Sequence, residues 1–373
     1  MKLTANIKLT PSTEQYDSLK KTLEVSNKAC NAISKVAWDE KQFSQYHLHK
    51  LVYYNIKARF NLGAQMTVRC IAKVADAYKL DKKTQKIFKQ HSAQPYDDRI
   101  FRIMADDVVS IWTLDSRQKV PFQCGDYQRE LLKTRKGEVD LMLVKGVFYL
   151  ACTCDIDEND IINPEDILGI DLGIVNIAVD SKGNCYSGKS VDKYRKRMTR
   201  QRQQLQKIGT RAAKRKLKKI SRKQSRYQKD VNHCISKTIV TEAKRSRLAI
   251  ALENLKGIRK GVKARKSGRA RLHNWGFFQL KSFIEYKAKR FGVPVIFVDP
   301  KHTSQTCPEC GAVSKKNRPD RDTFKCCSCG FSQPADNVAA LNIRAKAIVN
   351  LPMVAGMCVN NFLHTPNSQL QAA

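Results

Sequence analysis

Apolar and polar residues alternate at the start of the chain, and the period of the pattern then changes. Over residues 1–10 every second residue is apolar, which predicts a β-strand with one buried face. From about 12 to 92 the apolar residues recur at helical spacing, so we expect a mainly helical segment there. Short β-rich runs follow from 95 to 160 and are typical of a small antiparallel barrel or sheet, which the opening strand could join.

The later part of the chain has the pattern of an α/β fold. The run ILGIDLGIVNIAVDSKGNCYS, which begins at residue 167, predicts a strand, a tight turn and a hairpin. A helix after residue 230, the strand LAIAL, a helix over 275–291 and the buried strand VPVIFV follow in alternation. We expect a last helix that starts near Asp336, and a loose, weakly patterned tail over 350–373.

Positive charge is concentrated in two stretches of this α/β part. Lys and Arg number 69 against 34 Asp and Glu, a net charge of +35 that opposes compact folding unless a polyanion neutralises it. Residues 191–230 hold 17 Lys/Arg and two acids with almost no Gly or Pro, which predicts long basic helices. Residues 256–271 hold eight Lys/Arg, three Gly and no acids, which predicts a flexible basic loop.

Nucleic acid is the partner that this charge pattern favours, because neutralisation of phosphates dominates the affinity of such complexes. The alternatives are a merely soluble basic protein and a solvated helical face. The candidate nucleic-acid-binding residues are Lys193, Arg195, Lys196, Arg197, Arg211, Lys214, Arg215, Lys218, Lys219, Arg222, Lys260, Lys263 and Arg265.

The sequence favours a cytoplasmic protein that associates with the nucleoid when bound to DNA. No apolar run approaches the ~20 residues that a membrane-spanning helix needs. The first residues, MKLTANIKLT, lack the apolar core of a signal peptide. We therefore expect no membrane partner.

The cysteines predict a structural zinc ribbon. Four of the 13 form two CxxC pairs separated by 15 residues, and a glycine that permits a tight turn follows each pair. A disulfide is the less favoured alternative in a reducing compartment. Cys327 is an extra thiol that we do not expect to be a ligand, although a slip in register stays open. The predicted zinc ligands are Cys307, Cys310, Cys326 and Cys329.

Three acidic residues stand out by their position relative to the predicted core elements. Asp171 and Glu253 each follow an apolar strand, and Asp336 heads an alanine-rich helix. If they converge, they repel each other, and Mg²⁺, a hard ion that prefers oxygen ligands, is the natural counter-ion. Two such ions could hydrolyse a phosphodiester. Taken singly, each acid has a plainer explanation: an Asp after a strand often forms a turn, and Glu253 could cap one.

Five stretches together resemble the TnpB proteins of insertion sequences, RNA-guided DNA endonucleases that are ancestral relatives of type V CRISPR effectors. They are GIDLGIVNIAV, ALENLKGI, HTSQTCPECG, FKCCSCGF and ADNVAALNIRA, which span about 167 to 344, roughly half of the chain. The resemblance implies an RNase H-like (RuvC) nuclease in which Asp171, Glu253 and Asp336 are catalytic and bind magnesium. It also implies a guide RNA and a target DNA as partners.

The resemblance implies an α+β multidomain fold. An N-terminal wedge-like β-barrel with a helical recognition insertion precedes a RuvC α/β domain that contains the inserted Cys₄ zinc ribbon. The expected domains are 1–10 and 95–160 for the barrel, 11–94 for the insertion, 161–300 and 331–349 for the nuclease core, 301–330 for the ribbon and 350–373 for the tail.

The expected function is RNA-guided cleavage of double-stranded DNA beside a short flanking motif, in a single RuvC-like site, by a chain that we expect to be monomeric. The alternatives are an RNA-guided repressor without cleavage, an unguided enzyme of the same fold such as a junction resolvase or transposase, and a compact type V CRISPR effector. The zinc ribbon is expected to fix where Asp336 enters the site. It would also place basic residues beside the scissile strand, namely Lys315, Lys316, Arg318 and Arg321.

Overall fold

The structure, a computed structural model, describes residues 1–255 and 276–349. It divides into two compact units, Met1–Asp157 and a second that begins at Glu158. The sequence placed this boundary near residue 160. The backbone N–H groups of Asn159 and Ile162 donate to carbonyls near residues 290–292 in the second unit, which explains why that unit begins slightly earlier.

The first unit contains a seven-stranded antiparallel sheet in the order β2-β6-β7-β1-β5-β4-β3. The prediction that the opening strand joins this sheet is confirmed, because β1 pairs with both β5 and β7. In the order given, β2 and β3 are the edges, so closure into a barrel stays a prediction. The strands are β1 Lys2–Leu9, β2 Gln94–Tyr96, β3 Phe101–Ile103, β4 Val108–Trp112, β5 Arg117–Gln123, β6 Arg135–Val144 and β7 Val147–Asp155.

Three helices lie between β1 and β2: α1 Thr13–Asp39, α2 Gln45–Phe60 and α3 Ala64–Leu80. The expectation of helix up to residue 92 is wrong, because α3 ends at Leu80. The chain beyond is held by side chains of α1 instead. The Asn27 amide donates to the carbonyl of Ser92 at 2.9 Å, and Asn31 exchanges two hydrogen bonds with the backbone of Phe88. The sequence also missed the short helix α4, Asp126–Leu132.

The second unit has a five-stranded sheet in the order β10-β9-β8-β11-β12, in which β11 runs parallel to both β8 and β12. The predicted strand, tight turn and hairpin after residue 165 are confirmed. The strands are β8 Asp166–Asp171, β9 Asn176–Asp180, β10 Cys185–Ser187, β11 Leu248–Glu253 and β12 Val295–Val298.

Helices cover both faces of this sheet. The described helices of the unit are α5 Lys189–Ile208, α6 Arg211–Ile220, α7 Lys223–Arg245, α8 Phe277–Phe291 and α9 Ala335–Val349. Leu168, Ile170, Ile250 and Leu252 pack with residues of α7 and α8 in one apolar cluster. The alternate strand residues, with Ile167 among them, pack with α9 in another. Because side chains alternate along a strand, this unit is a three-layer α/β arrangement.

The expected basic helices are present, with one difference. The sequence suggested a new helix after residue 230, whereas α7 runs without a break from Lys223 to Arg245. Its second half has Ile235, Ile239 and Val240 buried against the sheet, and its first half is mostly exposed. One helix therefore belongs both to the core and to the basic surface.

The cysteine segment lies between β12 and α9 and contains a small hairpin of β13 Thr323–Lys325 and β14 Ser332–Pro334. The predicted loop 256–271, with Lys260, Lys263 and Arg265, and the predicted tail 350–373 lie outside the described residues. In residues 1–255 and 276–349, no helix combines the length and apolar character that a bilayer-spanning segment requires.

Candidate active site

Asp171 and Glu253 end two neighbouring parallel strands. In the register of β8 with β11, Ile170 pairs with Leu252, so the two acids are the next residues on adjacent strands. Such strands are about 4.8 Å apart. The sequence placed each acid after its own strand, and the parallel register is what puts them side by side at the same edge of the sheet.

A glycine in β8 brings the third acid to the same edge. A Cβ atom at Gly169 would lie 2.6 Å from the backbone nitrogen of Arg344 and still closer to the carbonyl oxygen of Ala340. Only glycine therefore lets the backbone of α9 rest directly on the strand. Asp336 is in the first turn of α9, one turn before Ala340, so this contact holds it near the end of β8.

An ion pair fixes the position of α9 along the strand. Arg344 on α9 donates to the Asp166 carboxylate at the start of β8, with an Nη2–Oδ2 distance of 2.8 Å. The paired guanidinium and the close contact at Gly169 are two separate restraints on one helix. Together they determine where Asp336 lies relative to Asp171.

The electrostatics show that the acids influence one another. Burial, together with the negative charges of Glu253 and Asp336, raises the pKa of Asp171 to about 7, and the charge of Arg318 opposes this shift. Burial also raises the pKa of Glu253, against a hydrogen bond from Thr303 and the charge of Lys346. A carboxylate that is buried beside like charges is stabilised by a cation.

Two neutral side chains hold the acids by hydrogen bonds. The Asn176 amide donates to Oδ2 of Asp336 at 2.9 Å, and the Thr303 hydroxyl donates to Oε1 of Glu253 at 2.6 Å. A Cβ atom at Gly173 would lie 2.5 Å from the Asn176 carbonyl, so the tight turn after β8 needs this glycine to position Asn176. Sequence reasoning missed both partners. Their only signal was their place in the stretches GIVN and HTSQTC.

The donor set fits magnesium. Three carboxylates supply hard oxygen ligands, and the raised pKa of Asp171 shows that they lack sufficient positive charge. Among the described residues, only the cysteines form a group of metal donors that all lie within 4.8 Å of one another. The ligand oxygens of the three acids are therefore spread more widely than the sulfurs of the cysteines.

The four predicted cysteines form a compact cluster. Their sulfur atoms all lie within 4.8 Å of one another, with 3.6 Å between Cys307 and Cys329 and 3.6 Å between Cys310 and Cys326. Sulfurs at the corners of a tetrahedral zinc site are about 3.8 Å apart, because each Zn–S bond is about 2.3 Å. The cluster fits a structural zinc ion.

Backbone N–H groups favour the thiolate form of one cysteine of the second pair, Cys326. The sulfur of Cys326 accepts N–H groups from Ser328 at 3.4 Å and from Cys329 at 3.5 Å, and such bonds favour the thiolate. The Cys329 N–H, followed by that of Ser328, helps to lower the pKa of Cys326 to about 6. Cys327 lies outside the cluster: it is exposed, and its backbone N–H donates to Asn317 at 3.0 Å.

The ribbon and the acids share structural contacts. The buried Asn342 of α9 donates to the carbonyls of Thr303 and Thr306 at 2.7 Å each, directly before Cys307. Cys307 and Cys326 also belong to one apolar cluster with Ala335 and Val338, which flank Asp336. A change in the ribbon therefore reaches the helix turn that carries Asp336 and the hydroxyl that holds Glu253.

The described candidate nucleic-acid-binding residues lie on α5, on α6 and at the start of α7. All are exposed except Arg195, which is half-buried and donates to Asp192 at 2.7 Å. The charge of Arg195 is therefore at least partly neutralised by an ion pair within the protein. The exposed ones are Lys193, Lys196, Arg197, Arg211, Lys214, Arg215, Lys218, Lys219 and Arg222.

Two protein families match the part of the chain that carries these sites. Residues 153–258 match the family OrfB_IS605, described as a probable transposase, and this range contains Asp171 and Glu253. Residues 277–343 match the Cas12f1-like TNB domain, and this range contains the four cysteines and Asp336.

A TnpB-like protein of Methanocaldococcus jannaschii is 34% identical to the chain over 241 residues, which are 60% of this chain and 84% of that protein. The chain belongs to the TnpB family. A CRISPR-associated endodeoxyribonuclease Cas12f1 of Syntrophomonas palmitatica is 30% identical over 188 residues, 46% of this chain and 37% of that larger protein. A putative RNA-guided DNA endonuclease of Escherichia coli, InsQ, is 25% identical over 222 residues, 54% of each chain.

The fold of this TnpB-family chain is also found in a solved structure. A cryo-EM structure of a Cas12f1–sgRNA–target DNA complex matches 92% of this chain and 98% of its own protein chain, with a TM-score of 0.56 and 15% sequence identity. At this level of identity, the likeness concerns the fold. The family that the motifs indicated is confirmed, together with an α+β fold that contains a four-cysteine cluster.

Proposed function

We propose that the chain is an RNA-guided DNA endonuclease that cuts double-stranded DNA beside a short flanking motif, in one RuvC-like site. The observation that supports this most strongly is that three carboxylates meet at one edge of the sheet. Asp171 and Glu253 end adjacent parallel strands, α9 rests on β8 at Gly169, and the charges of Glu253 and Asp336 help to raise the pKa of Asp171. Carboxylates held in this state are typical of sites that bind divalent ions for phosphodiester hydrolysis.

Asp171, Glu253 and Asp336 would hold two magnesium ions. When bound, such ions supply an activated water and stabilise the leaving oxygen of the phosphodiester. The chain's own residues prepare the site: Asn176 and Thr303 orient two of the carboxylates. The positive charge of Arg318 lowers the pKa of Asp171, so this guanidinium lies close enough to act on the acid site. There it would attract a DNA phosphate.

The partners would be a guide RNA and a target DNA. The exposed lysines and arginines of α5 and α6 give a surface for phosphates, and their contacts would carry no sequence information. Base pairing with the guide would then select the target. The names of Cas12f1 and InsQ relatives, an endodeoxyribonuclease and a putative RNA-guided DNA endonuclease, support this proposal. We further assign the first unit as the wedge and recognition part, and expect a cytoplasmic monomer.

The test is cleavage of a plasmid by the full chain, purified with the RNA that accompanies it. Sequencing of that RNA identifies the guide, and a plasmid with the matching target should be cut only when Mg²⁺ is present. The Asp171→Asn variant should bind the same RNA and lose cleavage by about a thousandfold, because a metal ligand is removed.

Each rival predicts a different result. Binding of the matched plasmid without any cleavage by the parent chain would favour an RNA-guided repressor. Cleavage without RNA would favour an unguided nuclease such as a junction resolvase or transposase. Unchanged cutting by Asp171→Asn would remove Asp171 from the site. A guide encoded by a CRISPR array would favour a compact type V effector.

A further inference from the structure

A groove between α5 and α7 is distinct from the acid site. It has a volume of 740 Å³, and its lining includes Tyr194, Arg197, Arg200 and Tyr227. We call it the α5–α7 groove. The residues that line it include lysines, arginines, glutamines and tyrosines but no Asp or Glu, so its charge suits a polyanion.

An aromatic stack forms part of the wall of this groove. The rings of Tyr194 and Tyr227 are stacked, with centroids 4.4 Å apart and an interplanar angle of 26°. The guanidinium carbon of Arg197 lies 4.9 Å from the Tyr194 centroid. Tyrosine rings and guanidinium planes are the surfaces on which unpaired bases stack in single-strand binding proteins. A duplex, whose bases are already stacked, would present only its phosphates to this wall.

A smaller cleft shares part of its lining with the groove and includes Val175 of the turn that follows Asp171. This cleft is lined by Val175, Lys189 and Asp192 together with Lys193 and Lys196, and the last two also line the α5–α7 groove. The Gly188 N–H donates to the Val175 carbonyl at 2.8 Å, which ties the start of α5 to the turn. The acid in the cleft, Asp192, is paired with Arg195 and with Lys196, at 2.7 and 3.1 Å.

We propose, on the basis of the nuclease function proposed above, that the α5–α7 groove binds unpaired nucleotides of the DNA strand that is cut. Lys193, Lys196 and Arg200 would contact its phosphates, and one or two bases would stack at the wall formed by Tyr194, Tyr227 and Arg197. Lys193 and Lys196 also line the cleft that reaches Val175 in the turn after Asp171, and this proximity to the acid site favours the substrate strand over the guide. The contacts to phosphate and ring would be independent of base sequence.

Photo-crosslinking of the parent ribonucleoprotein tests the site without any substitution. In one arm the DNA target carries 5-iododeoxyuridine near the cut position, and in the other the guide carries 5-iodouridine. The buffer lacks magnesium in both. The DNA arm should crosslink to a peptide that contains Tyr194 or Tyr227. A crosslink to that peptide from the guide arm alone would overturn the assignment to DNA, and no crosslink to it from either arm would overturn the site.

One variant, tested with two ligands, separates base stacking from simple packing of α5 against α7. Tyr227→Leu should weaken binding of a short oligothymidylate about tenfold, as expected for loss of one stacking contact. It should leave unchanged the binding of an abasic oligonucleotide of equal charge. Equal weakening for both ligands would show that the tyrosine has only a structural role, and no weakening for either would also contradict the proposal.

The control is Lys237→Ala, which lies on α7 like Tyr227. Lys237 is exposed and outside the groove lining, so this variant should bind both ligands like the parent. Thermal unfolding of Tyr227→Leu shows whether the variant is folded. The crosslinking experiment uses the parent chain, so its result does not depend on the folding of the variant. Plasmid cleavage is scored in parallel. If the parent cuts the plasmid but gives no crosslink, only the proposal for the groove is contradicted. If the parent does not cut the plasmid, the proposed nuclease function is contradicted.

Discussion

The cysteine cluster and the acid cluster are two candidate metal sites in one unit, and they are built in opposite ways. The four sulfurs already lie within 4.8 Å of one another, and backbone N–H groups favour the thiolate of Cys326. The carboxylates are spread more widely, and burial and like charges raise the pKa of Asp171 to about 7. The sulfurs already have the spacing of a single ion's ligands, whereas the carboxylates do not.

This difference matches two kinds of metal function. A closed set of four thiolates leaves no position for a substrate, so its ion contributes to folding. A wider set of carboxylates leaves metal positions open for water and phosphate, which catalysis requires. The contacts of Asn342 and Thr303 link the two sites, so the folding energy of the zinc site would position the catalytic one.

Of the changes considered, loss of zinc should lower the rate of DNA cleavage most. We expect Cys307→Ser to lose the zinc ion and to lower the cleavage rate about a hundredfold, because α9 and Thr303 are no longer held. Guide RNA binding should change little. Zinc content and the rate of plasmid cleavage are the measurements.

Cys327→Ser is the matched control for that variant, because Cys327 is an exposed thiol beside the cluster and outside it. It should retain zinc and cut like the parent. A Cys307→Ser chain that lacks zinc but cuts at the parental rate would break the proposed link between the sites.

Arg318→Ala should have the next largest effect. Arg318 belongs to the ribbon, and its charge acts on Asp171, so its loss removes positive charge where a phosphate would bind. We expect about a tenfold lower cleavage rate. Lys325→Ala, which removes an equal charge from an exposed ribbon residue, should cut normally. Equal effects of the two variants would mean that only the net charge of the ribbon matters.

The smallest effect concerns the stability of the metal-free acid site. The pKa of Asp171 is raised from 3.8 to about 7, so its contribution to stability is fully present below pH 3.8 and is lost as the pH rises to about 7. Between about pH 5.5 and about pH 7.5, the parent should lose about 2 kcal/mol more of unfolding free energy than Asp171→Asn. Magnesium should reduce this difference.

Chemical denaturation of both chains without magnesium, at several pH values, measures this effect. Zinc should be kept bound in both, so that the ribbon contributes equally. Identical pH profiles for the parent and Asp171→Asn would show that Asp171 is not held beside like charges, and the contrast with the cysteine site would then disappear.

The sequence predicted the elements that carry the acids because each has a strong local pattern. Asp171 and Glu253 follow short apolar strands, and Asp336 begins a helix with a clear apolar face. The CxxC spacing likewise depends only on local geometry. Local patterns of this kind survive in the fold because the core on both faces of the sheet requires them.

The parts that the sequence did not predict depend on contacts between distant residues. Asn176 and Thr303 are polar residues in turns, and their role exists only because Asp336 and Glu253 lie beside them. Beyond Leu80 the chain is non-helical, and side chains of α1 such as Asn27 bind its backbone near residue 92. No periodicity within a single segment records such contacts.

The central claim is that Asp171, Glu253 and Asp336 share divalent ions. Anomalous diffraction from crystals of the ribonucleoprotein, grown with Mn²⁺ in place of Mg²⁺, tests it directly. We predict manganese peaks within ligand distance of all three carboxylates, and a separate zinc peak among the four cysteines. Manganese absent from the acids, or bound to only one of them while the zinc peak is present, would contradict it.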